Sequence, residues 1–290
     1  MLRVAVISWL ALSCAARPQD VANNRVVVLS PNDDADAIHV DAALAAPLED
    51  VAYAYAVDFA VPASLPQLQC LKSARYATVF VRGFNPAGKG SFDANSVTTI
   101  RNAYSAGLGI EVYVTPQPAS KLTGAQQLDA VYQGLTKNSI VVRSMWLQVT
   151  SPANWPGSVS SHVNFISSFV SGAKKYGLTV GIYTNQYDWS QITGNWKSLD
   201  RNTLLWYWHV LGGGVTGETT PTFDDFRPFG PFAHPSVKQF AQVETICQLT
   251  VNRNVYAVGI PEFVGGERIS KSSNIVKSGG DEIVVGTIGI

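Results

Sequence analysis

Ser144-Met145-Trp146-Leu147-Gln148-Val149-Thr150 is the stretch from which the fold of this chain can be read. Side chains of a strand alternate between faces, so Trp146, Gln148 and Thr150 share one side and Met145, Leu147 and Val149 the other. The run reads as a buried strand whose Gln148 and Thr150 point into one space. Further strand-like runs lie outward from it, at 53–59, 77–84, 109–115, 178–185 and 203–210. Helix-like stretches at 64–75, 95–106, 124–135 and 159–176 follow the first four strands in the chain. Strands alternating with helical segments indicate βαβ units and a parallel sheet. Six or more such strands favour an α/β fold of the TIM-like β/α barrel kind over an open doubly wound sheet. The runs at 237–243 and 251–256 have no strong helix before them, so the set of helices should be incomplete and the closing strands joined by loops.

A chain of 290 residues can hold one large domain, and α/β barrels reach ~200–250 residues as single units. Hydrophobic content of 46% with 14% charged residues excludes a largely disordered protein. The 21 basic and 21 acidic side chains cancel, and no basic stripe speaks for nucleic acid. Arg3, the apolar run Val4–Leu12 and the small residues Ser13 to Ala16 have the layout of a secretory signal peptide over 1–16, with a buried N-terminal strand as the alternative. The run is too short to span a membrane. A secreted or luminal, monomeric protein with no membrane partner is the expectation. Residues 17–51 read as an irregular segment or propeptide, 52–257 as the barrel and 258–290 as a flexible tail. Removal of the leader takes Cys14 and leaves Cys70 and Cys247, which in an oxidising compartment suggest one disulfide; two buried thiols are the alternative.

In a β/α barrel the working residues occupy the C-terminal strand ends and the loops after them. Alternation places Asp58 at the end of the first strand, Arg82 on the second, and Glu111, Tyr113 and Thr115 on the third. It places Gln148 and Thr150 on the fourth, and Tyr183 and Asn185 on the fifth. On the sixth, either Leu204, Trp206 and Trp208 or Leu205, Tyr207 and His209 face inward. A mouth holding Asp58, Arg82, Glu111, Tyr113, Gln148, Thr150, Tyr183, Asn185 and a tryptophan suits a sugar, whose hydroxyls take polar partners and whose C–H faces lie on rings. Ordinary core packing is the competing role for Trp206 and Trp208, and an ion pair with Asp58 or Glu111 the competing role for Arg82. The four histidines lack metal-ligand spacing, so neither metal nor cofactor is expected. Gly212-Gly213-Gly214 opens no helix and precedes no Lys-Ser/Thr, which argues against a nucleotide loop. Asp224-Asp225 reads as a solvated loop pair.

Local motifs add a family to this reading. Ala54-Tyr55-Ala56-Val57-Asp58, Trp146-Leu147-Gln148-Val149-Thr150-Ser151-Pro152, Val180-Gly181-Ile182-Tyr183 and Leu205-Trp206-Tyr207-Trp208 resemble the glycoside hydrolase family 25 lysozymes, in particular the nematode branch. So do Lys238-Gln239-Phe240 and Val251-Asn252-Arg253-Asn254-Val255-Tyr256 near the end of the barrel. The resemblance spans about 52–256 and implies peptidoglycan as the glycan bound or cut, in antibacterial defence. It also adds Gln239 and Asn252 to the substrate-binding set. The family's Asp-x-Glu pair falls on Gln148 and Thr150, and its late aspartate on Asn252. Only the first aspartate is kept, as Asp58. Neither Gln nor Thr exchanges a proton near neutral pH, so the usual two-carboxylate hydrolysis cannot run on them. Two expectations follow. Either Glu111 has become the acid with Asp58 as base or stabiliser, or the barrel binds or signals without cutting.

Overall fold

A computed structural model describes residues 52–258, the strand pairs at 263–264 and 267–268, and residues 282–288. The leader-like 1–16 and the irregular 17–51 lie outside the described residues.

Eight strands close into a barrel: β1 (Ala52–Phe59), β2 (Tyr76–Asn85), β3 (Gly109–Val114), β4 (Ser144–Gln148), β5 (Thr179–Thr184), β6 (Leu204–Trp208), β7 (Val237–Ile246) and β8 (Leu249–Val258). They neighbour one another in chain order, and β1 pairs with both β2 and β8 to complete the circle. All pairings from β1 to β7 are parallel, while β8 runs antiparallel to β7 and β1. A helix follows each of the first five strands: α1 (Leu65–Ser73), α2 (Asn95–Ser105), α3 (Gly124–Thr136), α4 (Val159–Lys175) and α5 (Gln186–Thr193). Among the described residues a 3₁₀ turn at Val215–Gly217 is the only helical piece between β6 and β7. A tight hairpin joins β7 to β8.

Local chemistry accounts for several of these boundaries. Ser64 with Gln67, Thr123 with Gln126 and Ser158 with Ser161 form reciprocal capping boxes that start α1, α3 and α4. Cys247 and Gln248 both have positive φ, 52° and 63°, which gives the two-residue turn a twist that matches the flanking strands. The hairpin tip is fixed to α1 by the Cys70–Cys247 disulfide, whose Cα atoms are 5.8 Å apart.

Two apolar layers result. Val79, Val81, Ile110, Val112, Met145, Leu147, Val180, Ile182 and Leu205 face outward under the helices. Inside the barrel Ala56, Phe80, Tyr113, Trp146, Tyr183, Trp206 and Val237 pack together, so the inward set on β6 is Leu204, Trp206 and Trp208. Phe80 packs on Trp206 at 4.4 Å and Tyr183 stacks on it at 4.1 Å. Gly181 makes this possible, because a Cβ there would fall inside the Trp146 ring. Gly181→Ala should therefore lower stability by about 1–3 kcal/mol or more, the cost of overpacking a filled interior. Urea titration checks it, and an unchanged midpoint would mean that the tryptophan has room to move.

Of the expected flexible tail 258–290, residues 282–288 are instead packed on the barrel, while 269–281 lie outside the described residues. Ile283–Val285 adds a parallel strand to Ile140–Val142, a short strand just before β4. The Gly286 N–H donates to the Ile110 carbonyl at 2.8 Å, and Ile288 enters the inner cluster. Residues 282–288 thus cover the end of the barrel where β3 and β4 begin, here called the floor.

Candidate functional site

At the opposite end, the mouth, a carboxylate is held by amides. Asp58 terminates the small-residue run of β1 and is 4% exposed. Its Oδ1 accepts from Gln239 Nε2 and Asn254 Nδ2, each at 2.9 Å, and its Oδ2 from Asn252 Nδ2 at 2.8 Å. These three amides come from β7 and β8. They lie beside β1 because β8 inserts antiparallel between β7 and β1, with Asp58 opposite Asn252. Burial pushes the Asp58 carboxyl up from its ordinary range, and the hydrogen bonds from Asn254, Asn252 and Gln239 draw it part of the way back. Gln239 extends the network, its Oε1 accepting from Tyr183 Oη at 2.9 Å and Gln242 Nε2 at 2.6 Å.

Across the mouth, at the end of β4, stands a chain with nothing to ionise. Thr115 Oγ1 donates to Gln148 Oε1 at 2.8 Å, and Gln148 Nε2 donates to Thr150 Oγ1 at 3.0 Å. Next to it is a second carboxylate. Asp188, in the first turn of α5, is 3% exposed and accepts Trp208 Nε1 at 3.0 Å. Burial pushes its carboxyl pKa up from the ordinary range, opposed by the Trp208 indole and the Ser151 backbone N–H. Asn185 caps α5 by accepting the Asp188 N–H at 2.7 Å, which fixes the carboxylate beside Trp208. The Trp208 ring is half-buried at the mouth.

Several expected positions fall elsewhere. Glu111 is not at the mouth. It is the third residue of β3, near that strand's start, and is fully buried at the floor. Ser144 Oγ and Trp146 Nε1 donate to its Oε2 at 3.0 and 2.8 Å, and the Thr287 and Ile288 N–H groups to its Oε1 at 2.5 and 2.8 Å. Arg82 pairs with neither Asp58 nor Glu111 but with Asp93, at 2.8 Å, on the loop after β2. Trp206 has no exposed surface and donates to Asn254 Oδ1 at 2.8 Å, so it packs the interior. Tyr113 and Tyr183 are likewise buried beneath the mouth. Asp225 is not solvated as expected for a loop pair; it accepts Tyr207 Oη, His209 Nδ1 and the fully buried Lys238 Nζ at 2.7, 2.5 and 2.7 Å. That triple anchor ties the 211–236 loop to the outside of β6 and β7.

The structure therefore groups Asp58, Gln239 and Asn252 on one side of the mouth, with Gln148, Thr150, Asn185 and Trp208 on the other. Sequence reasoning had passed over Asn254, Asp93 and Asp188. Asn254 was accessible, being two residues from Asn252 on the same strand face.

The closed eight-stranded barrel with five helices among the described residues carries an acid at the end of its first strand, an arrangement that comparison with known proteins places in a family. The profile of the family described as Lysozyme-like protein 1 matches residues 49–240. Lysozyme-like protein 1 of Caenorhabditis elegans is 58% identical, covering 97% of this chain and 99% of its own length. A probable GH family 25 lysozyme 2 of Dictyostelium discoideum is 31% identical over 69% of this chain and 89% of its own. The solved family GH25 lysozyme of Aspergillus fumigatus shares the fold with a TM-score of 0.56 at 16% identity, covering 71% of this chain and 94% of its own. The bacterial lysozyme of Streptomyces coelicolor does so at 0.56 and 19%, covering 70% and 91%. The chain belongs to the lysozyme-like family of glycoside hydrolase family 25 type.

Proposed function

We propose that this is a secreted, antibacterial lysozyme-like protein whose barrel mouth binds peptidoglycan strands, with hydrolysis weak or absent. The observation that carries the reading is the Thr115–Gln148–Thr150 chain, which fills the place of the usual acid pair with groups that hold hydrogen bonds and cannot move a proton. The opposing Asp58–Gln239–Asn252–Asn254 cradle and the half-buried Trp208 offer a sugar oriented polar partners and a ring face. Peptidoglycan as the glycan is supported by the lysozyme names of the relatives. Secretion is supported by the leader-like 1–16 and by the Cys70–Cys247 disulfide.

One observation favours a second reading in which cleavage persists. Asp188 is a carboxyl buried against an indole with its pKa raised, the direction that favours the protonated form a general acid needs. With Asp58 across the mouth it would form a rebuilt pair.

Retention on purified peptidoglycan across pH 3 to 8, run beside turbidity clearing of cell walls, separates these readings. Binding without clearing is expected, and absence of retention at every pH would sink the proposal. Clearing that is abolished by Asp188→Asn would favour the second reading. In Asp58→Asn one amide hydrogen must face the Gln239, Asn252 or Asn254 donors, so the cradle has to reorganise. Losing a hydrogen bond to a charged acceptor costs about 1.5–3 kcal/mol, so glycan affinity should fall roughly ten- to a hundredfold. Titration followed by tryptophan fluorescence reads the change, and unchanged affinity would place the glycan away from Asp58.

A further inference from the structure

We propose that the barrel floor is a peptide-binding site, filled in this chain by its own residues 282–288, which takes an extended apolar segment tipped by glycine and two free backbone N–H groups. Three features build the site. The short strand Ile140–Val142 offers one edge, and Ile283–Val285 pairs along it in parallel, as a peptide adds to a sheet. A deep contact receives the turn. Gly286, at φ 89°, lies so close to Ser144 that a Cβ would overlap the Ser144 backbone nitrogen and Oγ, so only glycine fits and only glycine adopts that backbone without strain. Beyond it the consecutive N–H groups of Thr287 and Ile288 converge on Glu111 Oε1, a backbone nest around an anion.

Glu111 is otherwise difficult to account for. A carboxylate with no exposed surface is costly unless it is hydrogen-bonded, and within the barrel only Ser144 and Trp146 reach it, both at Oε2. Among the described residues the other oxygen accepts only from 287 and 288, through their backbone N–H groups and the Thr287 hydroxyl. Ile288 then closes the inner apolar cluster from below. The floor thus has the parts of a peptide site: a strand edge, a glycine-selective contact and a buried anion that reads two amides. It lies at the opposite end from the glycan mouth, and the inference does not depend on what the mouth binds.

The test uses the full chain and a fluorescent peptide of residues 282–290. Gly286→Ala should eject the chain's own segment, seen as at least tenfold faster hydrogen exchange at 283–288 with β1 to β3 unchanged. The opened floor should then bind the native-sequence peptide at least tenfold more tightly than the unmodified chain does. Adding Glu111→Gln to Gly286→Ala should abolish that gain, because the amide carries no charge and its NH2 must face either the Ser144 and Trp146 donors or the two incoming backbone N–H groups. The proposal is overturned by exchange at 283–288 as slow in Gly286→Ala as in the native chain, by equal peptide binding by the two chains, or by binding that survives Glu111→Gln. Faster exchange spread through the whole barrel would also overturn it, since the segment would then be part of one cooperative fold and not a separable ligand.

Discussion

Gln148→Asp combined with Thr150→Glu should raise the rate of peptidoglycan cleavage by about two to four orders of magnitude, the usual contribution of a positioned general acid–base group. The surroundings are prepared for the change. Thr115 Oγ1 already donates to the Gln148 side-chain oxygen at 2.8 Å and can donate equally to a carboxylate. Position 150 is half-buried and lies two residues beyond the end of β4, so a longer acid there is not forced into the core. Asp58 remains across the mouth in its amide cradle. The single Gln148→Asp change should do much less, since a carboxylate without a partner acid cannot protonate the leaving oxygen. Reducing ends released from purified cell walls measure the effect. A folded double variant that retains peptidoglycan yet cleaves no faster than the native chain would show that the mouth has lost substrate geometry as well as acids. The neutral Asn252, on the Asp58 side, would then be the next position to restore.

Period-two alternation carried most of the barrel and much of the mouth. It puts Asp58 and Gln148 on inward faces and leaves two choices on β6, which the interior packing of Trp206 decides in favour of Trp208. The missing helices before β7 and β8 leave the incomplete helical ring legible. Alternation gives the face of a strand and not the height along it, which is why Glu111 was placed at the mouth. Counting from the strand start would have corrected this, because Glu111 is the third residue of β3 and the working end is the last. Two other features were beyond a single-strand reading. The Arg82–Asp93 pair depends on the path of the chain from β2 to α2. Glu111's partners at 287 and 288 lie in a stretch whose glycine and serine content reads as loop, and nothing local in Ile-Val-Val-Gly-Thr-Ile announces a buried carboxylate 176 residues earlier. Asp188 is intermediate. Its place in the first turn of a helix capped by Asn185 can be derived from sequence, while its contact with Trp208 requires the β5–β6 register.

Cys70→Ser with Cys247→Ser should lower the stability of the chain by about 3–5 kcal/mol. The bond closes a loop with a sequence separation of 177 residues, so its removal returns a large conformational freedom to the unfolded chain. Native contacts offset little of that loss. Between α1 and the hairpin tip there is one side-chain hydrogen bond, Gln67 Nε2 to the Gln248 carbonyl, at 3.3 Å and exposed. The positive-φ residues Cys247 and Gln248 hold the turn in shape but do not tie it to the helix. Urea midpoints of the native and doubly substituted chains give the difference, and reductant should bring the native midpoint down to that of the variant. The same change has a local consequence that entropy alone does not give. Asn252 lies on β8 just beyond the hairpin turn and carries one of the three amides on Asp58, so a looser tip should weaken the cradle. Glycan affinity should therefore fall modestly, by about threefold to tenfold, under conditions where the variant is still folded, since one hydrogen bond of about 1 kcal/mol is being loosened. If the two urea midpoints coincide, the thiols are not joined in the folded protein; if the midpoints differ but affinity does not, the cross-link acts on the unfolded state and the mouth is held by the barrel alone.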